Sequence, residues 1–159
     1  MTLSFEGGMD FESRGWPAVS VRQPWAELLI DGRKSIEIRS WAAEYRGRMW
    51  LHTGLKSDPE LERKFGLNDL YRGGFLGSIE LVAIVPVTKE RWEQWLDKHL
   101  DPGRYREGLV AWMMAAPRRF REPVPGKGQL NLFFPPAEIV QQLRSSEGVF
   151  GAGERDPVF

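Results

Sequence analysis

The chain has 159 residues, of which 42% are hydrophobic and 28% charged, with 22 basic and 22 acidic side chains. This length suits one domain with its own core, and the balanced charge argues against a large non-specific polyanion binder. Because there is no cysteine, disulfides, thiolate metal sites and cysteine nucleophiles are excluded. No apolar run is long enough for a membrane span, and no basic-then-apolar leader opens the sequence, so we expect a cytoplasmic protein with no membrane association.

Charge is unevenly distributed along the chain. Residues 1–13 carry acids and no base, whereas residues 30–56 and 104–128 are both rich in Arg and Lys. The two basic regions form one basic face if they converge, and a solvated, unconnected surface is the alternative. We predict three parts: an N-terminal extension over 1–16, a domain over 17–144 and a C-terminal tail over 145–159.

The first predicted elements are a strand over 18–21 and an amphipathic helix that Pro24 opens. Apolar spacing at i, i+3 and i+4 predicts that one side of this helix packs on the core. That side carries Trp25, Leu28 and Leu29. Gly32 follows at the place where a helix takes a left-handed terminating residue, which glycine adopts without a Cβ penalty.

In residues 34–41 the side chains alternate between the two faces with a period of two, which predicts a second strand. Ile36 and Ile38 point to one face, whereas Glu37, Arg39 and Trp41 point to the other.

Further elements follow the same logic of periodicity, caps and turns. They are a strand over 48–53, a helix over 58–65 opened by Pro59, a long strand over 75–87 with a bulge at Gly77, a helix over 90–100, strands over 109–115 and 118–124, a tight turn at 126–128, a strand over 131–134 and a helix over 136–143. Short strands with helices inserted between them, rather than in strict alternation, predict an α+β fold, a small mixed β-barrel with inserted helices. The first helix is expected to plug one side of the barrel.

The two histidines form no metal-binding pattern, because there is no HExxH motif and no cysteine to join them. We therefore expect neither a metal nor a cofactor. His99 is predicted to face solvent. Trp25, Trp92 and Trp95 fall at core-facing helix positions, so a role in packing is favoured over base stacking.

The most unusual feature is the group of Gly32, Lys34, Glu37 and Arg39. Glu37 and Arg39 lie two residues apart on one face of a strand, and Lys34 emerges where the helix meets that strand. Lys34 offers a compact charge for phosphate, Arg39 a planar fork for phosphate or a base edge, and Glu37 orients them or accepts from an amine. The alternative is a functionless surface ion pair between Glu37 and Arg39, worth about 0–1 kcal/mol.

The spacing G-x-K-x-x-E-x-R resembles the hallmark of the ASCH domain family, named for activating signal cointegrator homology. The likeness continues through R-Q-P-W-A at 22–26, R-S-W at 39–41, Y-R-G at 45–47 and further segments over roughly residues 17–135. It is strongest toward the cointegrator-type branch. The resemblance implies a PUA-like β-barrel, a fold allied to RNA-modification enzymes.

The resemblance also implies a function. Family members are read as RNA-binding or nucleic-acid-binding modules, so we expect a module for RNA, with DNA or a nucleoside-like small molecule as alternatives. The motif then lines a cleft for a nucleotide or a phosphate. The predicted binding residues are Lys34, Glu37, Arg39, Gln23, Trp41, Arg46, His52 and Thr53.

Two other functions remain open. Some bacterial relatives hydrolyse N4-acetylcytidine with the motif lysine and a threonine where this chain has Glu37, so the alternative is a small hydrolase acting on an N4-acylated cytidine or on RNA. Lys34 is then the general base and Glu37 positions substrate or water. A protein-interaction or structural domain, in which the motif only stabilises its strand, is the third hypothesis.

Overall fold

The computed structural model describes residues 15–153, with side chains through residue 148. Of the predicted N-terminal extension only Gly15 and Trp16 fall in this range, and residues 154–159 of the predicted tail lie outside it. Within the described range, no helix has the length and apolar character needed to cross a bilayer.

The described residues form one five-stranded mixed sheet. Its strands are β1 (Ala18–Ser20), β2 (Ile36–Arg39), β3 (Gly47–Thr53), β4 (Gly74–Pro86) and β5 (Val110–Pro125), in the order β1-β3-β4-β5-β2. β1 runs parallel to β3, and every other pair is antiparallel. The sheet curls into a half-barrel whose two edges are β1 and β2, as the predicted small mixed barrel requires.

Five helices accompany the sheet in the described range: α1 (Trp25–Ile30), α2 (Pro59–Lys64), α3 (Lys89–Gln94), α4 (Leu96–His99) and α5 (Ala137–Gly153). α1 packs against β2, β3, β4 and β5, with Leu28 and Leu29 fully buried. Gly32 follows this helix at φ +88°, which confirms the predicted left-handed terminator. The first helix therefore fills one side of the half-barrel.

β4 bends where the sequence predicts a bulge. The register with β5 shifts between Phe75 and Gly77, and a Cβ atom at Gly77 would lie 2.0 Å from the backbone oxygen of Arg118. Glycine lets the two backbones approach this closely. The two strands predicted over 109–115 and 118–124 are one strand, β5, with Ala116 at φ +49° between them. β5 continues through this irregularity because β4 pairs with it on both sides.

The prediction of one helix over 90–100 is wrong. Two short helices, α3 and α4, meet at Trp95, and Leu96 is exposed. His99 is fully buried, so its predicted solvent exposure is wrong as well. Its Nε2 lies 3.0 Å from the carbonyl oxygen of Trp92 and its Nδ1 accepts from the backbone N–H of Asp101 at 2.9 Å. Both ring nitrogens have hydrogen-bond partners inside the protein, so burial leaves no polar atom of the ring unsatisfied.

The C-terminal part departs further from expectation. Residues 126–128 form no tight turn and residues 131–134 no strand; a single antiparallel bridge between Ala18 and Phe133 holds this segment beside β1. α5 extends from Ala137 to Gly153, well past the predicted end, and it passes through the predicted boundary between domain and tail. Glu147 on α5 binds Arg118 at 2.6 Å and Ser78 at 3.2 Å, which fixes the helix to the sheet.

Candidate functional site

A cleft of about 770 Å³ lies between the two edges of the half-barrel. Ser20 lines it from β1, and Glu37 and Arg39 line it from β2. The segment over 128–131, held beside β1, forms a further wall. The site therefore occupies the gap that an open sheet leaves between its edge strands.

Arg39 spans this gap. Its Nη2 donates to the backbone oxygen of Ser20 at 3.0 Å, which joins β2 to β1 across the opening. Its Nε lies 3.3 Å from Oε2 of Glu37, and its guanidinium carbon lies 5.8 Å from the centre of the Trp41 ring. A charged fork is thus held beside an aromatic ring on the cleft wall.

Lys34 lies behind the wall rather than in the cleft. It is 3% exposed; its Nζ donates to the backbone oxygen of His99 at 2.6 Å and lies 3.5 Å from Oε1 of Glu37. The same nitrogen is 4.5 Å from the centre of the Trp25 ring. Burial lowers the pKa of Lys34, while the nearby Glu37 carboxylate opposes that shift. Of the predicted motif group, Glu37 and Arg39 line the cleft, whereas Lys34 is buried behind them and forms an ion pair with Glu37.

His52 forms the floor of the cleft beside Ser20. Its Nε2 lies 2.9 Å from the backbone oxygen of Gly126, and its Nδ1 lies 2.8 Å from Oγ of Ser20. A carbonyl only accepts, so Nε2 carries a proton, and in the neutral ring the Ser20 hydroxyl donates to Nδ1. Burial lowers the pKa of His52, which favours this neutral ring.

The other predicted site residues lie partly in the cleft and partly outside it. Trp41 lines the cleft. Gln23 is fully buried and holds the backbone, because its amide donates to the Tyr71 oxygen at 2.8 Å and accepts from the Glu27 N–H at 2.9 Å. Thr53 is fully buried, and Arg46 is exposed and donates to the backbone oxygens of Ala43 and Tyr45. Gln23, Thr53 and Arg46 do not line the cleft.

Several cleft residues escaped the sequence-based prediction. Trp25 lines the cleft as well as packing on the core. Arg22 and Lys56 line it with exposed side chains that have no hydrogen bond or ion pair within the described part of the chain. Arg22 could have been predicted from the sequence, because it directly precedes the Q-P-W-A segment of the family resemblance. The segment over 128–131 was part of the family resemblance, but its place in the wall depends on long-range contacts, the bridge to β1 and the hydrogen bond between His52 and the Gly126 oxygen.

The chemistry of the cleft is cationic and partly apolar. Arg22, Arg39 and Lys56 face a single acid, Glu37. Two leucines on the rim, Leu55 and Leu130, are 79% and 89% exposed. Such a surface suits a ligand that combines negative charge with a flat, partly apolar group. Among the described side chains, no cluster of His, Asp and Glu is arranged to hold a metal ion.

A curled mixed sheet with a cleft between its edge strands defines a PUA-like half-barrel domain. The family model of the ASCH domain matches residues 19–124, and the chain belongs to this family. The predicted resemblance is thereby confirmed.

Two curated relatives are named activating signal cointegrator 1. The mouse (Mus musculus) protein is 37% identical over 107 residues and the human (Homo sapiens) protein 38% over 107 residues. Each alignment covers 58% of this chain and 18% of the relative, so the chain spans less than a fifth of the length of these relatives.

Solved structures support the fold. The crystal structure of ASCH from Zymomonas mobilis superposes with a TM-score of 0.60 at 16% identity, covering 83% of this chain and 95% of that one. A point mutant of the same Zymomonas mobilis protein gives a TM-score of 0.57 at 18% identity, covering 83% and 96%.

Proposed function

We propose that this ASCH domain binds nucleic acid, RNA in the first place, with a nucleotide or phosphate held in the cleft between β1 and β2. The observation that carries the proposal is the meeting of three cations on one open cleft. Arg39 is held in place by Ser20 and Glu37, while the side chains of Arg22 and Lys56 have no hydrogen bond or ion pair among the described residues. Free cations beside an oriented guanidinium favour a phosphate-bearing ligand.

The aromatic and apolar groups favour an unpaired base. Trp25 and Trp41 line the same cleft as the cations, and Leu55 and Leu130 stand on its rim. A base that stacks on such groups has to leave its duplex, so single-stranded segments are the expected ligands. Glu37, at the base of the wall, is available to accept from an exocyclic amine.

The test is binding of a fluorescein-labelled eight-nucleotide oligouridylate, followed by anisotropy at several salt concentrations. The double variant Arg22→Ala/Lys56→Ala should bind about tenfold more weakly near 0.1 M salt. The slope of log K against log[salt] should fall by about 1.4, because each phosphate contact in a single strand contributes roughly 0.7. Arg39→Ala should also weaken binding. Dissociation constants for the same sequence as single-stranded DNA and as duplex RNA show which nucleic acid the domain prefers.

The matched control is Arg63→Ala/Arg121→Ala, which removes two exposed cations that do not line the cleft. It should bind as the unmodified protein does, whereas a general charge effect would weaken it equally. Equal loss in both double variants, or no binding of any oligonucleotide by the unmodified protein, would reject the proposal. Circular dichroism of each variant shows whether the fold is kept.

Hydrolysis of an N4-acylated cytidine or of RNA, with Lys34 as general base, stays a prediction. It requires the Lys34 nitrogen to reach substrate, and this nitrogen now donates to the backbone of His99 beneath Trp25. Incubation with N4-acetylcytidine and with RNA, against Lys34→Ala, tests it. Turnover that disappears in the variant would support it.

A further inference from the structure

A second groove adjoins the cleft. It has a volume of about 380 Å³ and shares Ile38, Arg39 and Trp41 with the cleft. Trp92 of α3 also lines it, and the segment after α4 contributes Arg104 and Arg106. The cleft and the second groove share the end of β2 and the residues just beyond it. A ligand that leaves the cleft by passing over Arg39 and Trp41 therefore enters the second groove.

The second groove is also cationic. Arg104 and Arg106 are exposed, and neither has a hydrogen bond, an ion pair or a ring contact within the described residues. The acid on this wall, Asp101, accepts from the backbone N–H of Gly103 at 2.8 Å, so its carboxylate stabilises its own turn. With Arg39, the groove presents three guanidinium groups against one carboxylate.

Arg39 belongs to both depressions. Its guanidinium is held by Ser20 and Glu37 on the cleft side, and Trp41 lies beside it on the shared ridge. Aromatic side chains that alternate with cations along a groove are typical of surfaces that follow a single strand, because bases stack on rings while phosphates contact the cations. The shared ridge supplies such an alternation: cations in the cleft, an aromatic ring at the crossing, and cations in the second groove.

We propose that the second groove binds phosphates of the strand whose nucleotide occupies the cleft, so that the ligand is an extended single-stranded RNA rather than an isolated nucleotide. This inference rests on the proposed function. It assigns Arg104 and Arg106 to a phosphate site separate from the cleft cations Arg22 and Lys56. The basic region over 104–128 then contributes to recognition through these two arginines.

The experiment compares a short and a long ligand. Uridine 5′-monophosphate is titrated by NMR, and the eight-nucleotide oligouridylate by anisotropy. In Arg104→Ala/Arg106→Ala, the dissociation constant for the octamer should rise about tenfold, and its salt slope should fall by about 1.4. The dissociation constant for the monophosphate should stay within twofold, because its site is in the cleft. Both arginines are exposed, so we expect the fold to be retained, and circular dichroism checks this.

The outcomes separate the two proposals. If the unmodified protein binds neither ligand, the proposed function fails and this inference with it. If the octamer binds the Arg104/Arg106 double variant as tightly as it binds Arg63→Ala/Arg121→Ala, the second groove carries no phosphate and the cleft proposal stands. If the double variant weakens both ligands equally, the two depressions are not separate phosphate sites, and the inference is overturned.

Discussion

The Ser20 hydroxyl donates a hydrogen bond to Nδ1 of His52 at 2.8 Å, and the opposite nitrogen of that ring lies 2.9 Å from the backbone oxygen of Gly126. One imidazole thus connects the edge strand β1 to the segment that forms another wall of the cleft. In the neutral ring Nδ1 accepts from Ser20, whereas in the protonated ring Nδ1–H would donate to the Ser20 oxygen, because a hydroxyl can both donate and accept. The direction of this hydrogen bond therefore depends on the charge of His52, and burial favours the neutral ring by lowering the pKa of His52.

Acid should weaken the fold through this ring. Burial lowers the pKa of His52 and also that of His99, from an ordinary value of 6.5. Below that value the unfolded chain binds more protons than the native one, so the free energy of unfolding should fall as the pH is lowered from about 7.5 to 5.5. Each histidine contributes a slope of at most about 1.4 kcal/mol per pH unit.

Urea denaturation at several pH values measures the slope. His52→Asn replaces the ring with an amide, which can accept from Ser20 but does not titrate. The free energy of unfolding of this variant should therefore depend less on pH than that of the unmodified protein, even if its stability at pH 7.5 is lower. Parallel curves for the two proteins would show that His52 does not carry the effect.

Lys34 should act as a structural brace. Lys34→Ala removes the buried partner of Glu37 and of the His99 carbonyl, so the free energy of unfolding should fall by about 3 kcal/mol. Lys56→Ala removes an exposed lysine of the cleft rim and should change stability by less than about 0.5 kcal/mol. Urea midpoints of the two variants give the comparison. A Lys34→Ala protein as stable as Lys56→Ala would contradict the brace.

Gly128 should set the position of the wall over 128–131. A Cβ atom there would lie 2.5 Å from Cε1 and Nδ1 of His52, so Gly128→Ala should displace the ring or the wall and lower stability by about 1–3 kcal/mol. Gly54 also lines the cleft but has open space around it, which makes Gly54→Ala the matched control. Nitrogen chemical shifts of His52 report the tautomer. Unchanged shifts in Gly128→Ala would refute the close approach.

Gly77 should be intolerant of any side chain. Its Cβ would lie 2.0 Å from the backbone oxygen of Arg118, and backbone cannot move aside as a flexible side chain does. Gly77→Ala should therefore lower the free energy of unfolding by about 1–3 kcal/mol or more. Gly148, in α5, has nothing within 4 Å, so Gly148→Ala should be neutral or stabilising, as alanine is favoured in helices. Thermal unfolding of both variants is the measurement, and equal midpoints would count against the bulge argument.

Much of the architecture follows from local patterns. Period-two alternation placed Glu37 and Arg39 on one side of β2, and both line the cleft with Trp41, just beyond the strand. Ile38, which the alternation assigns to the opposite side, lines the cleft as well. Gly32 ends α1, and Asp58 with Pro59 begins α2, where the Asp58 side chain accepts from the N–H of Leu61 at 3.1 Å. These features depend on backbone sterics and capping within a few residues, which the order of amino acids already specifies.

Burial and long-range contact were decided by the tertiary structure. Lys34 points away from the cleft because the carbonyl of His99, distant in sequence, offers its nitrogen a partner behind Trp25. His99 is buried because its ring finds partners in Trp92 and Asp101. Gly128 lies against His52 because two long-range contacts hold its segment there, the bridge from Phe133 to Ala18 and the hydrogen bond from His52 to the Gly126 oxygen. Periodicity tells which side of a strand a residue occupies, but whether that side is open or covered depends on what segments from elsewhere in the chain pack against it.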